Sequence, residues 1–184
     1  MPDLFGGLHE ADTKRQDRIS PQMAPSQEDG CGVCVIRIVV RGAPAPQGSK
    51  SYMGTIKSGM KKGKAIMVES SKKVRPWRQD VKAAAEGWRA RSGVLPIDGP
   101  VVVRMTFTLP KPKSAPKTRR TYPMRTPDLS KLARSTEDAL TDAGIWTDDA
   151  RVIGYSKLWK AYPGEDVDAL DSPGAVIEII EVQA

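Results

Sequence analysis

Three aspartates and one arginine are spaced to do phosphate chemistry. Asp128 stands at the start of an amphipathic segment, Asp148 and Asp149 lie in the turn after it, and Arg134 falls on the segment's polar side. Hard cations such as Mg²⁺ take a few carboxylate oxygens and complete their shell with water and substrate phosphate, which this arrangement can supply. Arg134 suits the stabilisation of negative charge that builds on a phosphate under attack. Each residue also has a plain structural role. Asp128 can be a first-turn acid favoured by the helix dipole, Asp148–Asp149 a solvated turn pair, and Arg134 an i,i+4 ion-pair partner of Asp138. Other catalytic sets are thin. His9 is the only histidine and lies in the N-terminal segment, which argues against a Ser/His/Asp triad. Cys31 and Cys34 have CxxC spacing without the second pair that a zinc site needs. No P-loop and no GxGxxG segment occurs, so no nucleotide cofactor is expected.

The elements that must hold these residues follow from hydrophobic periodicity. Leu129, Leu132, Ala133, Thr136, Leu140 and Ala143 share one side of a helix that opens at Thr126-Pro127 and stops before Gly144, while Ser130, Lys131, Arg134, Glu137 and Asp138 share the other. An earlier helix opens near Pro76 and places Trp77, Val81, Ala84, Ala85 and Trp88 on its inner face. Strands are expected at Cys34–Arg41, Pro100–Leu109, about Arg151–Ala161 and Ala175–Val182. A hairpin of Ser51–Ile56 and Ala65–Glu69 turns through Lys57–Lys64. The order of elements predicts an α+β fold: one mixed-sheet domain with two main helices over residues 34–184, preceded by a flexible tail at 1–33.

A chain of 184 residues fits one such domain, and 39% hydrophobic with 5% aromatic residues supports a modest core. No run of roughly 18 apolar residues is present, so no membrane span is expected. The N-terminal segment has no secretory apolar stretch, and two cysteines fit a reducing, cytoplasmic setting. The net charge of +7 is unevenly spread. Residues 34–125 carry 21 Lys/Arg against 4 Asp/Glu, whereas residues 126–184 carry 5 against 12. The first stretch suits a phosphate backbone; the second suits a cation at the scissile bond. The loop Pro110–Arg125 concentrates six of the basic residues.

Thr126–Val152 (TPDLSKLARSTEDALTDAGIWTDDARV) resembles the signature of the RusA family of Holliday junction resolvases, found in phages and prophages. Gly42–Lys50 (GAPAPQGSK) is similar to the family's Pro-rich segment after the first strand, and the likeness extends over about residues 34–183. The resemblance implies a Mg²⁺-dependent endodeoxyribonuclease, with Mn²⁺ able to substitute. It implies a homodimer making paired nicks in four-way DNA junctions during recombination or repair, in the bacterial host's cytoplasm if phage-encoded. Carried over by position, Asp128, Asp149 and Arg134 are catalytic, and Asp128, Asp148 and Asp149 bind metal. Lys50, Lys111, Lys113, Arg119, Arg120 and Lys131 are the expected DNA contacts. The chain departs from the motif at Ser130 (Asp in the family), Lys131 (Asn) and Arg134 (Lys). The first two departures leave open a degenerate relative that binds branched DNA without cutting it. A basic RNA-binding or assembly protein, which needs no aspartate pair, is the third reading.

Overall fold

The computed structural model describes residues 35–183 except 49, 70 and 117, with residues 50, 51 and 67–69 described in backbone only. The tail expected at 1–33 lies outside the described residues. In chain order the elements are β1 (Val35–Arg41), β2 (Lys50–Thr55), β3 (Ala65–Glu69), α1 (Val74–Ser92), β4 (Val101–Thr108), α2 (Leu129–Asp142), a 3₁₀ turn (Asp149–Arg151), β5 (Val152–Ala161) and β6 (Gly174–Glu181). Each expected strand and helix is present. α1 begins two residues before Pro76, which occupies the first turn, where its missing N–H costs nothing.

Four strands form one mixed sheet in the order β1-β6-β4-β5, parallel only between β4 and β5. A parallel pair needs a long crossover, and the basic loop and α2 supply it. β2 and β3 form a separate antiparallel hairpin. β1 alternates strictly, with Ile36, Ile38 and Val40 buried and Val35, Arg37 and Val39 exposed, as expected of an edge strand with one wet face. β6 buries four residues running, from Gly174 to Ile177, and takes an inner position.

The two helices pack on each other, with α1 also against β1. Trp77 is the hub. It is 1% exposed, meets Phe107 of β4 edge-to-face at 6.4 Å, and donates its indole N–H to Thr136 Oγ1 of α2 at 3.2 Å. Arg78, one residue on, joins the same helices from outside through Asp138 (3.3 Å) and Asp142 (2.7 Å). Asp138 therefore serves Arg78, and the ion pair to Arg134 weighed from the sequence does not form.

Charges run in a row across all four strands. Arg37 of β1 meets Glu178 of β6 (3.5 Å), Glu178 meets Arg104 of β4 (3.1 Å), Arg104 meets Asp168 (3.5 Å), and Asp168 meets Lys157 of β5 (2.6 Å). Lys157 also bonds Asp166 at 2.8 Å. Burial acts to discharge Lys157, but its bonds to Asp166 and Asp168 outweigh that and hold the amine above its ordinary value. The Lys157 hydrogen bond, aided by the Asp168 N–H, conversely holds the Asp166 carboxyl below its ordinary 3.8, against the effect of burial. A depressed carboxyl contributes stability that is complete above the unfolded value and disappears as pH falls through the folded one. Urea midpoints should therefore fall between about pH 5 and pH 2. Asp166→Asn should be less stable than the parent at neutral pH and lose less over that interval; equal acid losses would show that Asp166 does not carry the effect.

Candidate active site

α2 and the turn after it are anchored at both ends. Before the helix, Lys160 of β5 donates to the carbonyls of Arg125 (2.9 Å) and Pro127 (3.0 Å), tying down the backbone that leads to Asp128. Asp128 is the N-cap residue, in extended conformation. Its carboxylate bonds no helix N–H and lies 3.2 Å from Lys131 Nζ. Along the first turns, Gln47 N–H donates to the Lys131 carbonyl (2.9 Å) and Ser135 Oγ to the Ala45 carbonyl (2.7 Å). The Pro-rich segment before Lys50 is thus fastened to the same helix.

Beyond the helix, Gly144 takes φ +68°, and a Cβ there would stand 2.6 Å from Arg89 Nη1. The left-handed backbone favours glycine, and a larger residue would also displace the Arg89 guanidinium. Arg89 uses that space to bond the Ala143 carbonyl at 2.8 Å. Trp146, also buried, donates to Thr141 Oγ1 (2.7 Å), and Ile97 brackets the turn by backbone bonds to Ile145 and Thr147.

The two adjacent aspartates held there do different things. Asp148 accepts the Ala150 N–H at 2.8 Å and caps the 3₁₀ turn, while Arg151 closes it from outside by bonding Asp98 at 2.6 Å. Asp149 is exposed, and its turn packs against α2. Its charge bears on Glu137 of α2 and Tyr155 of β5. Tyr155 donates its hydroxyl proton to Glu137 Oε1. Burial pushes the Glu137 carboxyl up, the Tyr155 bond pulls it down, and the nearby charges of Asp149 and Asp138 push it up again. Burial also raises the Tyr155 hydroxyl, together with the bond to Glu137 and the charges of Glu137 and Asp149. The sequence pattern puts Glu137 on a solvated face. The available signal was spacing, since Ser130, Arg134 and Glu137 recur at i, i+4 and i+7 on one stripe. Arg134 is exposed and makes no ion pair among the described residues.

These residues fit a hard cation. None of the described residues is His or Cys, so the available side-chain donors are carboxylate and hydroxyl oxygens. No group of three acidic side chains converges tightly enough to hold an ion among the described residues. Asp128 sits about 13 Å up the helix axis from Glu137. Mg²⁺ does not need such a cage, because one or two carboxylates with water and substrate phosphate suffice.

The basic residues are unequally free to meet phosphate. Lys111 is held by Glu165 at 2.7 Å and Lys131 by Asp128, while Arg120 stacks over Tyr122 at 5.0 Å. Lys113 and Arg119 are exposed. The Lys50 side chain lies outside the described residues. A groove of about 550 Å³ at the start of α1 is lined by Lys72, Arg75, Arg78 and Lys82, a cluster that the charge pattern of the sequence does not single out.

The two helices form a layer on the mixed sheet, with carboxylates on and after α2 and basic residues around them. The chain belongs to the RusA family: the model for Endodeoxyribonuclease RusA matches residues 46–179. It is an endodeoxyribonuclease of a Holliday junction resolvase family, whose nucleases are metal-dependent and act on branched DNA. No curated protein matches the chain. Among the described residues, no helix is long and apolar enough to cross a membrane.

Proposed function

We propose that this chain resolves four-way DNA junctions with Mg²⁺ as its cofactor, acting as a homodimer that nicks two symmetry-related strands. The observation that carries the reading is the exposed Asp149, held on a fixed turn beside a helix whose outward face also carries Arg134, which makes no ion pair among the described residues. Asp149 and Asp128 are the carboxylates offered to the cation, and Asp148 keeps the turn in shape. Mg²⁺, when bound, neutralises charge on the scissile phosphate and favours attack by water. Arg134 donates to the phosphate oxygens in the geometry its planar fork allows, and keeps that charge at any working pH. A C₂ dimer matches the two-fold symmetry of the junction and places one site on each strand of a pair. The test is a synthetic four-way junction incubated with Mg²⁺ and separately with EDTA. Symmetric, Mg²⁺-dependent nicks support the reading.

Ser130 and Lys131 favour a second reading, in which the protein grips junctions without cutting them. Junction binding with no nicking in Mg²⁺ or Mn²⁺ would establish that alternative.

Junction affinity should fall steeply with salt, as phosphate contacts release counterions. Every phosphate the protein no longer neutralises lowers the log–log slope by roughly 0.9. Neutralising Lys113, Arg119 and Arg120 together should flatten the slope by about 2 to 3. Neutralising Lys111 should matter less, because Glu165 already balances it. An unchanged slope in the triple variant would remove this loop from the DNA-binding surface.

A further inference from the structure

The β2–β3 hairpin stands apart from the rest of the fold. Neither strand joins the main sheet, and neither packs extensively on another element. The backbone hydrogen bonds of its tip close on the hairpin itself. The Ile56 N–H donates to the Lys64 carbonyl (3.0 Å), Gly63 to Ile56 (2.9 Å), Lys62 to Gly59 (3.0 Å) and Lys64 to Lys61 (3.1 Å). The tip is thus a bonded turn, and it presents Lys57, Lys61, Lys62 and Lys64. All four are exposed, and they make no ion pair among the described residues. Tyr52, Met53 and Met60 are exposed as well, so the hairpin has little packed surface of its own. A two-stranded hairpin without a covered face is marginal in water, and four ammonium groups in so short a stretch repel one another. A polyanion laid along the hairpin reverses the sign of that electrostatic cost.

The shape fits one kind of polyanion. β2 has 6 residues, so the hairpin extends about 20 Å. A two-stranded ribbon of this kind is admitted by the major groove of duplex DNA, about 12 Å wide and walled by phosphates. Lysine meets phosphate as a compact charge. No arginine, asparagine or glutamine stands between Ser51 and Glu69 to make a two-pronged contact with a base edge. β3 leads almost directly into α1, whose start carries the groove lined by Lys72, Arg75, Arg78 and Lys82, so positive charge continues from the hairpin along the chain. Resting on the reading of the chain as a junction resolvase, we infer that the β2–β3 hairpin is a DNA-binding element. Through Lys57, Lys61, Lys62 and Lys64 it grips the phosphate backbone of a duplex arm of the junction, without regard to sequence. It is a second grip, separate from the Pro110–Arg125 loop.

The experiment compares the full chain with a variant combining Lys57→Gln, Lys61→Gln, Lys62→Gln and Lys64→Gln. The four side chains are exposed, so the variant should unfold at the parent temperature. Gel shifts on a synthetic four-way junction in EDTA should show binding weakened at least about tenfold at about 0.1 M salt, with the log–log salt slope flattened by about 3 to 4. Lys61→Gln with Lys62→Gln alone should account for about half of that change. Two junctions with unrelated arm sequences should lose affinity by the same factor. Hydroxyl-radical footprinting should show a protected stretch on a duplex arm that the variant no longer protects, with the other protections in place. Unchanged affinity and slope would overturn the inference. So would weaker binding with an unaltered footprint, which marks a general loss of positive charge, or a loss confined to one arm sequence. Lysine-dependent binding to phosphatidylserine vesicles, with junction affinity intact in the variant, would make the hairpin a lipid-binding element instead. The two readings fail separately. A parent that binds junctions through these lysines but never nicks them in Mg²⁺ sinks the resolvase reading alone, and Mg²⁺-dependent nicking with an unaltered slope in the variant sinks the hairpin alone.

Discussion

Replacing Asp149 with Asn is expected to abolish junction nicking while junction binding survives. Asn keeps the volume and one oxygen but loses the charge that holds a hard cation. Losing about 3 kcal/mol or more of transition-state stabilisation slows cleavage by roughly a hundredfold or more. Asp149 is exposed and caps nothing, so the fold has no reason to suffer. In EDTA the variant should bind junctions at least as tightly as the parent, because an uncompensated carboxylate near phosphate repels it. Asp148→Asn makes the informative contrast. Asn can still accept the Ala150 N–H, so the turn should persist and nicking should fall less. Gel-shift and nicking assays on the same junction read both variants. Equal losses from the two would mean that both carboxylates serve the cation.

Trp77→Ala should cost about 3–5 kcal/mol, as for large aromatic deletions from a packed core. The side chain is almost wholly buried and touches three elements at once: its own helix, Phe107 of β4 and Thr136 of α2. For a domain of this size the midpoint of thermal unfolding should drop by on the order of 10 °C. Trp77→Phe is the milder variant. It keeps most of the volume and loses the indole N–H, while Thr136 still bonds the Leu132 carbonyl at 2.9 Å, so about 1–2 kcal/mol is expected. Because Trp77 braces α2, Trp77→Ala should also reduce nicking at temperatures well below its midpoint. Full activity there would show that α2 holds the site without α1.

Much of this architecture is written in local pattern. The alternation of Val35–Arg41 and the 3.6-residue period of Leu129–Asp142 depend only on which face each residue must turn to the core. The start of α1 two residues before Pro76 is a small departure of the same kind, since proline fits anywhere in a first turn. Partnerships across the chain leave no such trace. Nothing in the vicinity of Asp138 marks Arg78, 60 residues earlier, as its partner in place of Arg134. Nothing near Lys111 announces Glu165, whose carboxylate removes one cation from the set expected to meet DNA. Asp148 and Asp149 look alike in sequence. They part only because the 3₁₀ turn directs one carboxylate to a backbone N–H and leaves the other exposed. Glu137 reads as surface until β5 brings Tyr155 to it.

The inner place of β6 in the sheet has a consequence for how this enzyme comes into being. β1 and β4 each need β6 beside them, and β6 is the last of the strands to leave the ribosome. At a synthesis rate of about 5–20 residues per second, β1 therefore waits roughly ten to thirty seconds with its pairing edge and apolar face unpartnered. During that interval the nascent chain is a client for chaperones and a target for proteases.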